Sequence, residues 1–210
     1  MIPPVIHRAW VGSDLPDWAA ALGDTWARCY PDWAQRLWTD PDQLPDWAER
    51  DLYDAAADIV PPDAVGQFRA DLLRLEILLR HGGLWVDCDT EALRPYDFAG
   101  LDEFAAREDA SWVGTAYLAA TPGHPIIAAL VTGVRDSITR GRPARPNILT
   151  GPHYVTPVWL AHGGHLGAQP HWYPYSYRDV SKVRRIPARW RGAYAVHHWQ
   201  HRRTLAGRSL

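Results

Sequence analysis

Trp18, Ala21, Leu22, Thr25 and Trp26 follow steps of three and four, which predicts a helix over 17–29. The same period is clearest from about Ala64 to His81. There Phe68, Leu72, Leu75 and Leu79, widened by Leu73 and Ile77, make a broad apolar stripe. Gly82-Gly83 follows as a helix stop. Residues 46–57 and 125–140 predict two further helices. Short apolar runs predict strands at Val5 to Trp10, Gln35 to Thr39, Leu84 to Asp89, Ser111 to Ala119 and Tyr194 to Trp199. Beyond Pro143 the chain is rich in proline, glycine and aromatic residues, which predicts loops with short strands. Helices that alternate with strands predict an α/β sheet domain.

Composition narrows this picture. A chain of 210 residues suits one domain over 1–210. With 47% hydrophobic and 22% charged residues, a disordered or collagen-like chain is excluded. Two cysteines, Cys29 and Cys88, imply no disulfide framework. No apolar run reaches the length of a transmembrane helix. The opening Met-Ile-Pro-Pro-Val-Ile-His lacks the layout of a signal peptide, so a cytoplasmic protein is expected. Twelve tryptophans are candidate core anchors.

Charge is unevenly spread. Residues 1–64 hold 12 acidic and 4 basic side chains, a balance of −8, and 65–177 stand at −2. Residues 178–210 hold 9 basic and 1 acidic, a balance of +8. Two solvated faces that attract each other account for this as well as an anion-binding segment does.

The candidate chemistry lies around residue 88. At the end of the strand predicted over Leu84 to Asp89, Asp87 and Asp89 share one face and Cys88 turns the other way. Paired oxygen ligands suit Mg²⁺ or Mn²⁺, although a bare Asp-x-Asp is a weak signal. Asp71 and Arg74 lie three apart on one helix face. If the Gly-Gly turn folds the strand back along the helix, this pair arrives beside the aspartates. Asp71-Arg74 is then either a surface ion pair, or a carboxylate for sugar hydroxyls beside a guanidinium for a diphosphate.

The run Ala70-Asp71-Leu72-Leu73-Arg74, then Gly82-Gly83-Leu84-Trp85-Val86-Asp87-Cys88-Asp89-Thr90, resembles the core of the family-32 glycosyltransferases, which carry a DXD motif. Ile2 to Trp10 and Arg36 to Asp40 resemble the family's first two strands. Thr121 to Pro125 and Thr150-Gly151-Pro152 resemble later motifs, and Ala195 to Trp199 its closing histidine motif. The Ser-Trp pair that follows this motif in the family is replaced here by Gln200-His201-Arg202-Arg203-Thr204. The family includes mannosyltransferases and capsule glycosyltransferases and is remotely related to clostridial glucosylating toxins.

The resemblance implies a GT-A (Rossmann-like) fold with a mixed central sheet. It implies a hexosyltransferase with a nucleotide-sugar donor, UDP- or GDP-linked, Mn²⁺ or Mg²⁺, and retention of anomeric configuration. Carried over, Asp87 and Asp89 engage metal and donor, and Asp71 and Arg74 hold the donor sugar and diphosphate. Trp10 lies near the nucleobase. His197 is a further metal or phosphate contact, with His198 as the competing choice, since the two alternate across a strand. The acceptor implied is a hydroxyl on a glycan or small molecule. The basic segment, interleaved with Trp190, Tyr194 and Trp199, raises a modified base in nucleic acid as the alternative acceptor. A non-catalytic nucleotide-sugar or polyanion binding module is the non-enzymatic alternative. Tyr173, Tyr175 and Tyr177 suit an acceptor groove or plain packing. His7, mid-strand ahead of Trp10, reads as structural, and Glu91 as a carboxylate behind the aspartate pair.

Overall fold

The computed structural model describes residues 1–141, 145–180 and 192–200. The chain forms strand β1 (Val5–Ala9), helix α1 (Asp17–Cys29) and strand β2 (Ala34–Trp38). Two short helices, α2 (Arg50–Asp54) and α3 (Ala56–Ile59), lead into the long α4 (Val65–His81). Strands β3 (Gly83–Val86), β4 (Thr90–Ala92), β5 (Glu103–Arg107) and β6 (Val113–Ala120) follow. Helices α5 (Pro125–Gly141), α6 (Pro146–Leu149) and α7 (Pro152–Ala161) come next. Strand β7 (Leu166–Gly167), helix α8 (Gln169–Trp172) and strand β8 (Ala195–His197) complete the described elements.

Six strands form one mixed sheet in the order β2-β1-β3-β6-β5-β7. β1 runs parallel to β2 and β3, while β6 is antiparallel to β3 and β5. Helices cover both faces, as a sheet with two apolar faces demands. Strand β3 shows why: Trp85 enters the layer under α4, α5 and α7, while Leu84 and Val86 enter the layer under α1 and α8. Trp26, Trp38, Trp47, Trp85, Trp159 and Trp172 are all buried. Each hides an aromatic surface that contributes roughly 4–6 kcal/mol by area. Six of the twelve tryptophans are therefore core residues.

β4 and β8 pair antiparallel as a separate ribbon, so the predicted last strand is real but lies outside the main sheet. The predicted helix over 46–57 is broken instead at Ala55. The Tyr53 carbonyl, which a continuous helix would use, accepts from Arg69 Nε at 3.1 Å. β4, β5 and the ten-residue α7 were not visible in the apolar pattern. α7 begins with Pro152 at its first turn, where a missing N–H costs little, and it tolerates Pro157 at an exposed position.

The turn between α4 and β3 sets the return of the chain. Gly82 and Gly83 have φ of 62° and 90°. A Cβ on Gly83 would stand 2.6 Å from both the Val5 carbonyl oxygen and Val5 Cγ1. Glycine is thus required by φ and by the close approach of β1. Gly83→Ala should destabilise the protein by about 2 kcal/mol or more, read as a lower urea midpoint at unchanged slope.

Candidate active site

The turn brings β3 back along α4, and the carboxyl ends of β1, β2 and β3 open on one edge of the sheet. Crevices at such ends are where open α/β sheets bind ligands. Asp71 and Arg74, both nearly fully buried on α4, meet Asp87 there. Arg74 Nη2 lies 3.0 Å from Asp71 Oδ1 and 3.0 Å from Asp87 Oδ1. The pair is therefore a buried ion pair and not a surface one. Trp85 Nε1 donates to the same Asp87 oxygen at 2.8 Å. Thr150 Oγ1 donates to Asp71 Oδ2 at 2.7 Å. Burial pushes Asp71 up to about 6, against the pull of Arg74 and Thr150.

The strand premise for the aspartates needs correction. β3 ends at Val86, and Asp87, Cys88 and Asp89 form a turn. The Asp87 carbonyl accepts from the Thr90 N–H at 3.1 Å and the Thr90 hydroxyl at 2.6 Å. Trp26 Nε1 in turn donates to the Thr90 carbonyl at 3.1 Å. The two carboxylates converge because this turn folds them together, not because they alternate along a strand. Cys88 does point away, its thiol donating to the Ala9 carbonyl at 3.3 Å, and burial pushes it up to about 12.

Asp89 is met by the β8 end. His197 Nε2 is 3.0 Å from Asp89 Oδ1, and the Gln200 N–H donates to Asp89 Oδ2 at 2.8 Å. Burial raises the Asp89 carboxyl, but His197 and the Gln200 amide outweigh it and hold it at about 2. His198 points elsewhere, with Nε2 2.9 Å from Glu91 Oε2. The choice left open between the histidines is thus resolved in geometry: His197 shares the face of the aspartates, and His198 pairs with Glu91. His197 is itself shifted. Burial lowers it, yet Asp89, then Asp87 and Glu108, raise it above its usual value.

Ligand atoms of Asp87, Asp89 and His197 lie within 4.8 Å of one another, a grouping of donors that could hold a metal ion. His197 Nδ1 is buried without a hydrogen-bond partner among the described residues. Two carboxylates with one imidazole suit Mn²⁺ better than Mg²⁺, which takes oxygen ligands. The residues present therefore fit a divalent cation.

The remaining candidates fall into place around this centre. Trp10 follows β1 at the sheet's carboxyl edge, half-buried, edge-on to Trp18 at 5.7 Å, with Nε1 donating to Ser13 Oγ at 3.1 Å. His7 is buried, its Nδ1 accepting from Trp38 Nε1 at 3.1 Å, and desolvation lowers it to about 4, as a structural histidine. Tyr173 and Tyr175 are buried, and the Tyr173 hydroxyl accepts from the Ala116 N–H, so packing accounts for both. Lys182, Trp190, Arg202, Arg203 and most of the basic segment lie outside the described residues. Sequence reasoning missed Thr150 as the partner of Asp71 and Trp85 as a partner of Asp87. Only the Thr150-Gly151-Pro152 motif hinted at the first.

Residues 19–110 match the family model described as a glycosyltransferase sugar-binding region containing a DXD motif. Over those residues the chain is similar to glycosyltransferases that carry a DXD motif. The mannosyl phosphorylinositol ceramide synthase CSH1 of Saccharomyces cerevisiae is 24% identical over 162 residues, covering 76% of this chain and 43% of that protein. Inositol phosphoceramide mannosyltransferase 3 of Schizosaccharomyces pombe is 24% identical over 165 residues, covering 76% of this chain and 45% of that protein. The chain thus spans less than half the length of these curated relatives. Among solved structures, the PaToxG glycosyltransferase aligns with a TM-score of 0.65 at 18% identity, covering 77% of this chain and 70% of that one. The UDP-bound glycosyltransferase domain of the YGT toxin aligns with a TM-score of 0.55 at 10% identity, covering 90% and 88%. The mixed six-stranded sheet shares the GT-A fold of these solved glycosyltransferases, as the sequence led one to expect.

Two outcomes follow for metal binding, both read by Mn²⁺ titration. His197→Ala should weaken Mn²⁺ binding at least about tenfold, and His198→Ala much less. Mn²⁺ affinity should also rise with pH through the raised His197 titration, above 6.5, because the cation must displace that proton. A flat profile from pH 6 to 8 would remove His197 from the ligand set.

Proposed function

We propose that the chain is a metal-dependent glycosyltransferase. It moves a hexosyl group from a nucleotide-sugar to a hydroxyl of a glycan or small molecule, with retention of configuration. The observation that carries this reading is the convergence of Asp87, Asp89 and His197 beside the buried Asp71-Arg74 pair. A non-catalytic binding module has no need of a buried arginine held between two carboxylates at that point.

The residues divide the work. Asp87, Asp89 and His197 hold a divalent cation, Mn²⁺ by preference, with Asp87 also facing the donor. When bound, the cation stabilises the charge that builds on the departing diphosphate. Arg74 presents its guanidinium to the diphosphate side, and Asp71, held by Thr150, accepts from sugar hydroxyls. Trp10, at the carboxyl edge of β1, offers an indole face to the nucleobase. Relatives named as mannosyltransferases support a hexosyl donor, and a UDP-bound structural neighbour supports a UDP- or GDP-linked one. The sequence singles out no covalent nucleophile, which favours same-face substitution assisted by the leaving phosphate.

Incubation with a panel of UDP- and GDP-sugars should release nucleoside diphosphate in the presence of Mn²⁺ and not with chelator. Asp87→Ala and Asp89→Ala should abolish the release. Arg74→Lys should lower it about tenfold or more, because one ammonium cannot hold two carboxylates and a diphosphate in a planar fork. No release from any donor, or near-normal release by either aspartate variant at saturating Mn²⁺, would overturn the reading. Retention is tested by the anomeric proton coupling of the product.

A further inference from the structure

The hairpin that joins β5 to β6 carries two side chains that the donor chemistry does not use. The Glu108 N–H donates to the Trp112 carbonyl at 2.9 Å, which makes these two residues partners across the turn. Asp109 Oδ1 accepts from the N–H groups of Ser111 and Trp112 at 2.7 and 2.9 Å, so the turn is held by its own side chain. Trp112, half-buried, stacks on the exposed His153 of α7 with ring centroids 3.9 Å apart and planes 17° apart. Beside this stack the Val113 N–H donates to Thr156 Oγ1 at 2.9 Å, which pins the hairpin to α7.

This assembly adjoins the centre from two directions. Three residues before His153, Thr150 holds Asp71. Glu108, half-buried, lies within electrostatic reach of His197 and Tyr173, and Tyr173 packs edge-on to His197 at 5.8 Å. Four residues beyond Trp112, the Ala116 carbonyl takes the Asp87 N–H at 3.1 Å. The hairpin and α7 thus flank the aspartate centre on the β6 side. Trp10 flanks it on the β1 side, across β3 in the strand order.

We propose that Trp112, His153 and Glu108 form a subsite for the acceptor, a hydroxylated ring such as a pyranose or a cyclitol. This rests on the transferase reading of the centre beside it. A rigid indole-imidazole stack presents an apolar face of the kind that C–H-lined sugar rings cover. The Glu108 carboxyl, across the hairpin turn from Trp112, accepts hydroxyl hydrogen bonds and orients the ring. The stack lies on the β6 side of the centre, across β3 from the Trp10 side proposed for the nucleobase, which leaves this side for the second substrate.

The test is saturation-transfer NMR of the full chain with Mn²⁺ and UDP, using methyl α-mannopyranoside and myo-inositol as separate probes. At least one probe should receive saturation at its ring C–H protons, and the stronger of the two names the ring class. Trp112→Ala and His153→Ala should each weaken that binding roughly three- to tenfold, and Trp112→Phe should restore most of it. A persistent UDP signal checks that each variant is folded. His153 is exposed, so its variant keeps the test open should Trp112→Ala unfold. No saturation of either probe in the wild type, or equal signals in the wild type and His153→Ala, overturns the subsite. Ring binding without any donor hydrolysis would instead sink the transferase reading and leave the subsite standing.

Discussion

One guanidinium organises the crevice. Arg74 is buried with its Nη2 shared between Asp71 and Asp87, while its Nε has no partner among the described residues. Two carboxylates and a cation removed from water cost several kcal/mol per ion unless the geometry returns it. Replacing them with apolar residues would be the easier way to build a stable core. An arrangement of this cost, at the carboxyl edge of a sheet, is what the charged donor proposed above would require. It also links α4 to the aspartate turn, so the position of Asp87 depends on a helix residue thirteen positions earlier.

The rest of the site hangs on that link through backbone bonds. Thr90 closes the turn that carries Asp87 and Asp89, and Trp26 of α1 caps Thr90. The ribbon of β4 and β8 then delivers His197 and Gln200 to Asp89. Three separate parts of the chain therefore fix one carboxylate pair. Trp199, with φ of 57°, lies between His197 and Gln200 in the chain, its ring centroid 4.1 Å from that of His197 and its plane tilted by 49°. A left-handed backbone at an indole residue is costly and is held here by its surroundings, which include an Nε1 bond to the Tyr175 carbonyl.

The sheet imposes a division of labour. Parallel strands β1, β2 and β3 end at the same edge and bring Trp10 and the aspartate turn together. Antiparallel β6 starts at that edge, so the hairpin before it, with Glu108 and Trp112, is placed against the same centre. Mixed strand direction thus brings charged and aromatic groups from both halves of the sheet around one point.

Much was legible in the amino-acid order alone. The stripe of Phe68, Leu72, Leu75 and Leu79 defined α4 almost to the residue, because a long helix repeats its signal many times. Gly82-Gly83 located the reversal, and the spacing from Asp71 to Asp89 placed the acidic and basic groups side by side. What the sequence could not determine depended on contacts distant along the chain. Short strands such as β4 carry too few residues for a period, and α7 hides behind Pro152 and Pro157. Alternation said that only one of His197 and His198 could face the aspartates, but not which. The tertiary structure decided it through the register of β8 on β4, which opposes His197 to Thr90 and sends His198 to Glu91. Likewise, Thr150 reaches Asp71 across 79 positions. Local order can set which helices and turns form, but the partner of a buried carboxylate is chosen only when separate elements pack.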